Sequence, residues 1–120
     1  MNPSQVLLLT TSAMEGFRVT RYWGLARGIA VRTPTLMQEM GVFDDSFVGG
    51  GESNAHGEMT EQARFQATER MQKHAFGMGA NVVLGARYVI SELPQGATQV
   101  LCYGTAASVE RIASPTEEAR

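Results

Sequence analysis

One stretch constrains the fold of this chain more than any other: Gly79-Ala80-Asn81-Val82-Val83-Leu84-Gly85-Ala86-Arg87-Tyr88. A helix that ends on a left-handed glycine, here Gly79, turns through Ala80-Asn81 straight into an apolar strand. Residues 81–91 are apolar on both parities, Val82, Leu84 and Ile90 against Val83 and Val89. That is the pattern of a strand covered on both faces. The helix before it spans residues 58–78. At about 100° per residue, Thr60, Ala63, Ala67, Met71, Ala75 and Met78 line one stripe. Small side chains at its centre let the helix lie close against a sheet. Phe65 and Phe76 fall together on nearly the opposite side, an outer face that invites a second partner.

The rest of the chain supplies the sheet. Residues 6–11 form a compact apolar run, read as a first strand. From residue 17 to 31 the sequence alternates, with Phe17, Val19, Trp23, Leu25, Ile29 and Val31 on one parity and Gly24, Ala26, Gly28 and Ala30 on the other. Period two predicts a strand ribbon, two successive strands sharing it, with bulges or bends at Gly24 and Gly28. Thr33-Pro34-Thr35 stops the ribbon, and Thr35 caps a short helix through Phe47. Gly49-Gly50-Gly51 is a flexible loop. Glu92-Leu93-Pro94-Gln95-Gly96 makes a hairpin connection into a last strand over residues 97–109. The order β-β-β-α-α-β-β predicts an α+β fold: an antiparallel sheet with one dominant helix packed on it and a shorter second helix. The expected domain is 1–112, with a polar tail at 113–120 that frays.

At 120 residues the chain has room for one core. A net charge of -2 with no basic run excludes an electrostatic grip on nucleic acid. The apolar start is too short for a signal core or a membrane span, so no membrane partner is expected and the cytoplasm is the default location. A single cysteine, Cys102, excludes an intrachain disulfide and suits a reducing compartment. Only 18% of residues are charged, which hints at surface buried between subunits.

Reactive constellations are scarce. No Gly-x-Ser-x-Gly, phosphate loop or paired-carboxylate pattern occurs, so a non-enzymatic protein is expected and no cofactor is assigned. Gly49-Gly50-Gly51 before a helix could cradle an anion but lacks the Lys-Ser/Thr of a phosphate loop. A metal needs converging donors, and the candidates are Cys102, His56 and His74. Cys102 reads as a small buried hydrophobe and His56 as a solvated loop residue. His74 reads as a histidine at the edge of the buried helix face, with one nitrogen on a backbone carbonyl. Arg87 must find a carboxylate or carbonyl partner, or a subunit contact, if it is buried. Tyr22 and Trp23 are core aromatics or a stacking surface for a planar ligand.

Ala63-Arg64 and Glu69-Arg70-Met71 lie in the helix; Gly79 to Arg87, Thr98-Gln99-Val100-Leu101 and Tyr103-Gly104-Thr105-Ala106 follow it, and Val48-Gly49-Gly50 precedes it. In this order and spacing the chain resembles the YbjQ-like family of small bacterial proteins over residues 8–109. The resemblance implies an α+β subunit of a homo-oligomeric ring, typically a pentamer, and carries a heavy-metal-binding label without an established activity. Edge strands and the Phe65/Phe76 face are the candidate contacts. Residues 51–57 depart from the family's commoner loop, and Phe65, His74 and Phe76 stand where it more often has charged or polar residues. Three functions follow as expectations: a structural or scaffolding module, a metal-binding protein, or a binder of a planar or anionic small molecule at a subunit interface or pore.

Overall fold

The computed structural model describes residues 1–41 and 52–113. The expectations for Phe47, for Gly49-Gly50-Gly51 and for the tail 114–120 fall outside the described residues. The elements are β1 (Leu7–Leu8), β2 (Phe17–Arg32), α1 (Pro34–Glu39), α2 (Glu52–Met78), β3 (Val82–Leu93) and β4 (Ala97–Arg111). The strands form one sheet in the order β1-β3-β4-β2.

The sheet is mixed, which corrects the antiparallel expectation. β4 runs antiparallel to both of its neighbours, so β2 and β3 point the same way, and α2 is the crossover between them. β4 then fills the slot between the two. The short β1 lies parallel to β3, with Leu7 opposite Val82. The N–H of Leu7 donates to the Asn81 carbonyl at 3.2 Å and that of Leu9 to Val83 at 2.9 Å. An edge pair this short leaves no period-two signature in the sequence.

The alternating ribbon is one strand, not two. Its ladder with β4 shifts register between Val19 and Arg21 and again between Tyr22 and Gly24. Gly24 has φ +111°, a backbone that side chains rarely tolerate. The second shift moves Trp23 onto the same face as Ala26, while Leu25, Ile29 and Val31 stay on the other. The expected parity set therefore splits, and the small residues face the helix. Ala26, Gly28 and Ala30 are buried there, whereas Leu25 remains 62% exposed.

Contact between α2 and β2 is backbone to backbone. A Cβ on Gly28 would lie 2.1 Å from the carbonyl oxygen of Ala67 and 2.5 Å from the amide nitrogen of Met71. Around it Ala63, Ala67, Met71 and Ala75 meet Ala26 and Ala30 of β2 and Val100, Cys102 and Ala106 of β4. The helix ends as expected. Ala80 N–H donates to Ala75 and Gly79 N–H to Phe76, each at 3.0 Å, with Gly79 at φ +103°; this paired arrangement is the Schellman closure. The helix starts at Glu52, six residues before the expected 58. Thr33, not Thr35, caps α1: its hydroxyl accepts from Leu36 N–H at 3.0 Å, and Pro34 takes the first helical position.

Coverage on both faces holds only for the first half of β3. Val82, Val83, Leu84 and Ala86 are buried, whereas Arg87 to Ile90 are exposed. Gly85, at φ +62°, sits in a bulge between Leu84 and Arg87. Its N–H and that of Ala86 turn to Thr11 and Leu9 at 2.7 and 2.8 Å. Away from α2, Val82, Leu84 and Ala107 form a second small core under Leu9, Met14, Val19 and Val109.

Two glycine substitutions of opposite sign test this packing. Gly28→Ala forces apart two backbones, so a loss of about 3 kcal/mol is expected as a lower urea midpoint. Gly77→Ala in α2 meets no atom within 4 Å and is expected to gain about 0.5–1 kcal/mol by the same measurement.

Candidate interaction surface

One face of the sheet carries α2; among the described residues nothing covers the other face over the half away from the second core. Its rows follow from the register. Arg27, Tyr103 and Arg87 lie side by side across β2, β4 and β3, and Ile29, Leu101 and Val89 form the next row. Leu25 opposite Thr105 flanks the arginines on the other side. Ile29 is 40% and Val89 46% exposed, on the strands that flank β4.

Arg87 finds carbonyl partners, as one of the expected alternatives had it, but at the surface. Its Nη1 donates to the carbonyls of Thr10 at 2.9 Å and Ala86 at 2.8 Å. Among the described residues the ion pairs are Arg18–Glu110 and Arg64–Glu61, so neither Arg27 nor Arg87 meets a carboxylate there. Arg64 holds the Glu61 carboxyl below the usual carboxylate range, first through their hydrogen bond.

On the outer side of α2, Phe65, Glu69 and Phe76 lie within about 40° of one another at helical periodicity. Phe65 is 61% and Phe76 37% exposed, and Glu69 is exposed between them.

β2 is an edge strand, and α2 guards it. The N–H of Arg27 donates to His74 Nδ1 at 3.0 Å, and Arg70 Nη1 donates to the Ile29 carbonyl at 2.6 Å. His74 thus sits at the edge of the buried face as expected, but its nitrogen accepts from an amide where a carbonyl contact was expected. The proton then belongs on Nε2. Arg27, Gly28, Ile29, Arg70 and His74 line a shallow groove here, with no carboxylate among the described residues of its walls.

The metal candidates do not converge. Cys102 is buried, and its thiol donates to Met71 Sδ at 3.4 Å. Burial pushes that thiol up, against smaller opposing effects of the Tyr88 hydroxyl and the Arg64 charge. His56 is an exposed residue of α2, correcting its placement in a loop, and lies about 27 Å from His74 along the helix by its rise. Among the described residues no three of His, Cys, Asp and Glu are grouped for a metal. A closed site needs about four donors, and this set does not fit one within a single chain. Trp23 is a core aromatic, half-buried against the main core with its Nε1 donating to Ser108 Oγ at 2.9 Å; Tyr22 is 66% exposed.

Arg27 shares the parity of Leu25 and Ile29 in the sequence and Arg87 is a candidate contact there, but their alignment across Tyr103 and the place of Glu69 on the outer face of α2 are not expected from it. Alternation in β4 was a usable signal, but the bulge at Gly85 hides which parity of β3 joins it.

A buried thiol makes a linkage prediction. Above the ordinary thiol pKa of about 8.5, the unfolded chain releases the Cys102 proton while the native chain retains it. Stability therefore falls as pH rises. Urea midpoints measured across that range should decline for the native sequence and lack this component in Cys102→Ala. A thiol reagent at neutral pH should label Cys102 only as fast as the protein unfolds.

No helix among the described residues is long and apolar enough to cross a membrane. A family profile with the description "putative heavy-metal-binding" matches residues 6–110. A UPF0145 protein of Solibacter usitatus is 42% identical over 100 residues, covering 83% of this chain and 88% of the relative. One from Legionella pneumophila is 41% identical over 101 residues, covering 84% and 95%. Another from Burkholderia thailandensis is 39% identical over 105 residues, covering 88% and 94%. A protein of unknown function of the DUF74 family from Pediococcus pentosaceus, known from a crystal structure, has a similar architecture. Its TM-score is 0.59 at 14% identity, over 88% of this chain and 98% of that one, a likeness of fold alone. With a family profile over nearly the whole domain and relatives this similar, the chain belongs to the uncharacterised YbjQ-like family of UPF0145 proteins.

Proposed function

We propose that this protein is a structural or scaffolding module that acts as a homo-oligomeric ring, pentameric as the family resemblance implies. The observation that carries the reading is the bare sheet face. A sheet with one apolar face normally buries it in a second layer. Here α2 supplies that layer on one side, yet Leu25, Ile29, Val31 and Val89 stand exposed on the other. Apolar patches of this kind mark association surfaces. A contact that joins this face to a different surface of the next copy is heterologous, and such contacts close into rings when the rotation allows. The low charge content agrees with surface lost to subunit contact. The module is non-enzymatic in this reading and works in the cytoplasm.

The groove between α2 and the edge of β2 favours a second reading, a binder of a small anion, since two arginines and a histidine line it. A metal-binding function would need ligands shared around a symmetry axis.

Sedimentation at micromolar concentration is expected to return several times the 13.0 kDa subunit mass; a monomer would remove the proposal. Changing Phe65 and Phe76 together to Ser is expected to weaken assembly at least tenfold, and an unchanged oligomer would clear that face. Native mass spectrometry and element analysis of untagged protein separate the alternatives. A retained anion mass would favour the second reading, and stoichiometric metal would favour ligands shared between subunits.

A further inference from the structure

We infer that the bare sheet face seats the outer ridge of α2 from a second copy of this chain, with the partner subunit's Glu69 entering between Arg27 and Arg87. The inference rests on the oligomeric reading above and specifies its joint.

Both surfaces set charge between apolar residues, arginines on the sheet and Glu69 on the ridge, with the exposed Lys73 one turn on at the ridge's flank. On the sheet, a cationic row of Arg27 and Arg87 around Tyr103 lies between apolar neighbours, Ile29, Leu101 and Val89 on one side and Leu25 on the other. On the helix, Glu69 lies between Phe65 and Phe76. The dimensions agree. Alternate residues of a strand repeat at about 6.8 Å, so the apolar positions bracketing the arginines are about 14 Å apart. Eleven helical residues separate Phe65 from Phe76, about 16 Å, with Glu69 about 6 Å from the first.

Charge decides the orientation. The rows from Leu25 to Val31, across β4 and β3, hold two arginines and no acid. Glu61 is engaged by Arg64, whereas Glu69 has no cationic partner among the described residues. A carboxylate entering there meets the Arg27 guanidinium and the Arg87 nitrogens other than Nη1, which already donates to Thr10 and Ala86, in charge-assisted hydrogen bonds of the stronger class. Two sheet faces set against each other would instead bring four arginines together.

Topology then dictates the assembly. The sheet face and the outer ridge are on opposite sides of a two-layer subunit, so a copy seated this way leaves its own sheet face bare for the next. No two-fold dimer satisfies the contact, which is heterologous and closes into a ring where the rotation between successive copies allows. The alternative of joining subunits through the edge of β2 is obstructed, because His74 and Arg70 already occupy outward backbone groups of Arg27 and Ile29.

Light scattering coupled to size exclusion, on the full chain, tests the joint. Glu69→Arg is expected to dissociate the oligomer at micromolar concentration, at least a tenfold weakening, with the circular dichroism and urea midpoint of the folded subunit retained. Arg27→Glu with Arg87→Glu should do the same. All three changes in one chain should restore assembly, because the reversed charges meet across the joint. Should the double variant fail to fold, Arg27→Glu alone, paired with Glu69→Arg, makes the same comparison. Variants that assemble like an oligomeric wild type would overturn this joint and leave the ring standing. A monomeric wild type would overturn the ring itself and mean that the face is covered from within the chain or by another protein.

Discussion

Of the described glycines, Gly28 comes closest to another backbone, that of α2, and much of the packing follows from that approach. With 2.1 Å between a notional Cβ and the Ala67 carbonyl, the helix rests on the strand with no side chain between them. Such an approach needs small residues for a turn in every direction, and Ala26, Ala30, Ala63, Ala67 and Ala75 provide them. Alanines bury little apolar surface each, at roughly 25 cal/mol per Å². Much of the burial in this layer therefore falls to Met71, Val100, Cys102 and Val83 around the contact. The larger side chains of β2 are displaced to the opposite face, which is why Leu25, Ile29 and Val31 stand in solvent.

A polar chain locks the end of the helix where the side-chain packing is thinnest. Trp23 Nε1 donates to Ser108 Oγ at 2.9 Å, and that hydroxyl donates to the Gly79 carbonyl at 2.9 Å. A Cβ on Gly79 would come within 2.9 Å of the Trp23 ring. The residue thus answers two demands, the left-handed backbone and the space for the indole. Arg21 stacks over the outer face of that ring, 3.9 Å from its centroid. Two residues after Gly79, the Asn81 side chain donates to the Val109 carbonyl and accepts from its N–H, each at 2.9 Å. It stands in for a strand residue before β3 begins. This junction ties β2, β4 and the end of α2 together.

Local chemistry was legible in the sequence wherever one residue type answers one need. Gly79 marks the helix end, the alanine stripe the packed face and Gly24 a bulge, whereas Gly28, expected at a second bulge or bend, pairs in regular register with Cys102 and serves the helix contact. Faces were not legible, because each bulge shifts the parity on which any face assignment depends. Val83 and Arg87 share a parity in sequence, yet Gly85 sends Val83 to the helix and Arg87 to the open side. The parallel pairing of β1 rests on two residues, too few to carry a period. Cys102 was read correctly as a buried hydrophobe from its place in an apolar strand. His74 was placed correctly at the rim, but its role as acceptor depends on β2 being an edge strand with outward amides, a property of strand order that no local pattern encodes.

A sheet can associate through its edges or through its faces, and the β2 edge and the open face are treated differently here. Edge pairing is indifferent to sequence, since any extended backbone satisfies the open N–H and C=O groups. At β2 those groups are met by Arg70 and His74 at the positions flanking Gly28, where the helix lies nearest and its side chains can reach around the strand. Face pairing selects by shape and charge, and there the subunit leaves apolar rows interrupted by two arginines. Exposed charges cost little on an isolated sheet face but penalise any partner that brings no carboxylate, because a desolvated unpaired guanidinium is expensive. The close helix contact therefore accounts for both properties. It brings the guard residues to the edge and, by excluding large side chains from its own layer, leaves them on the face where a selective partner can use them.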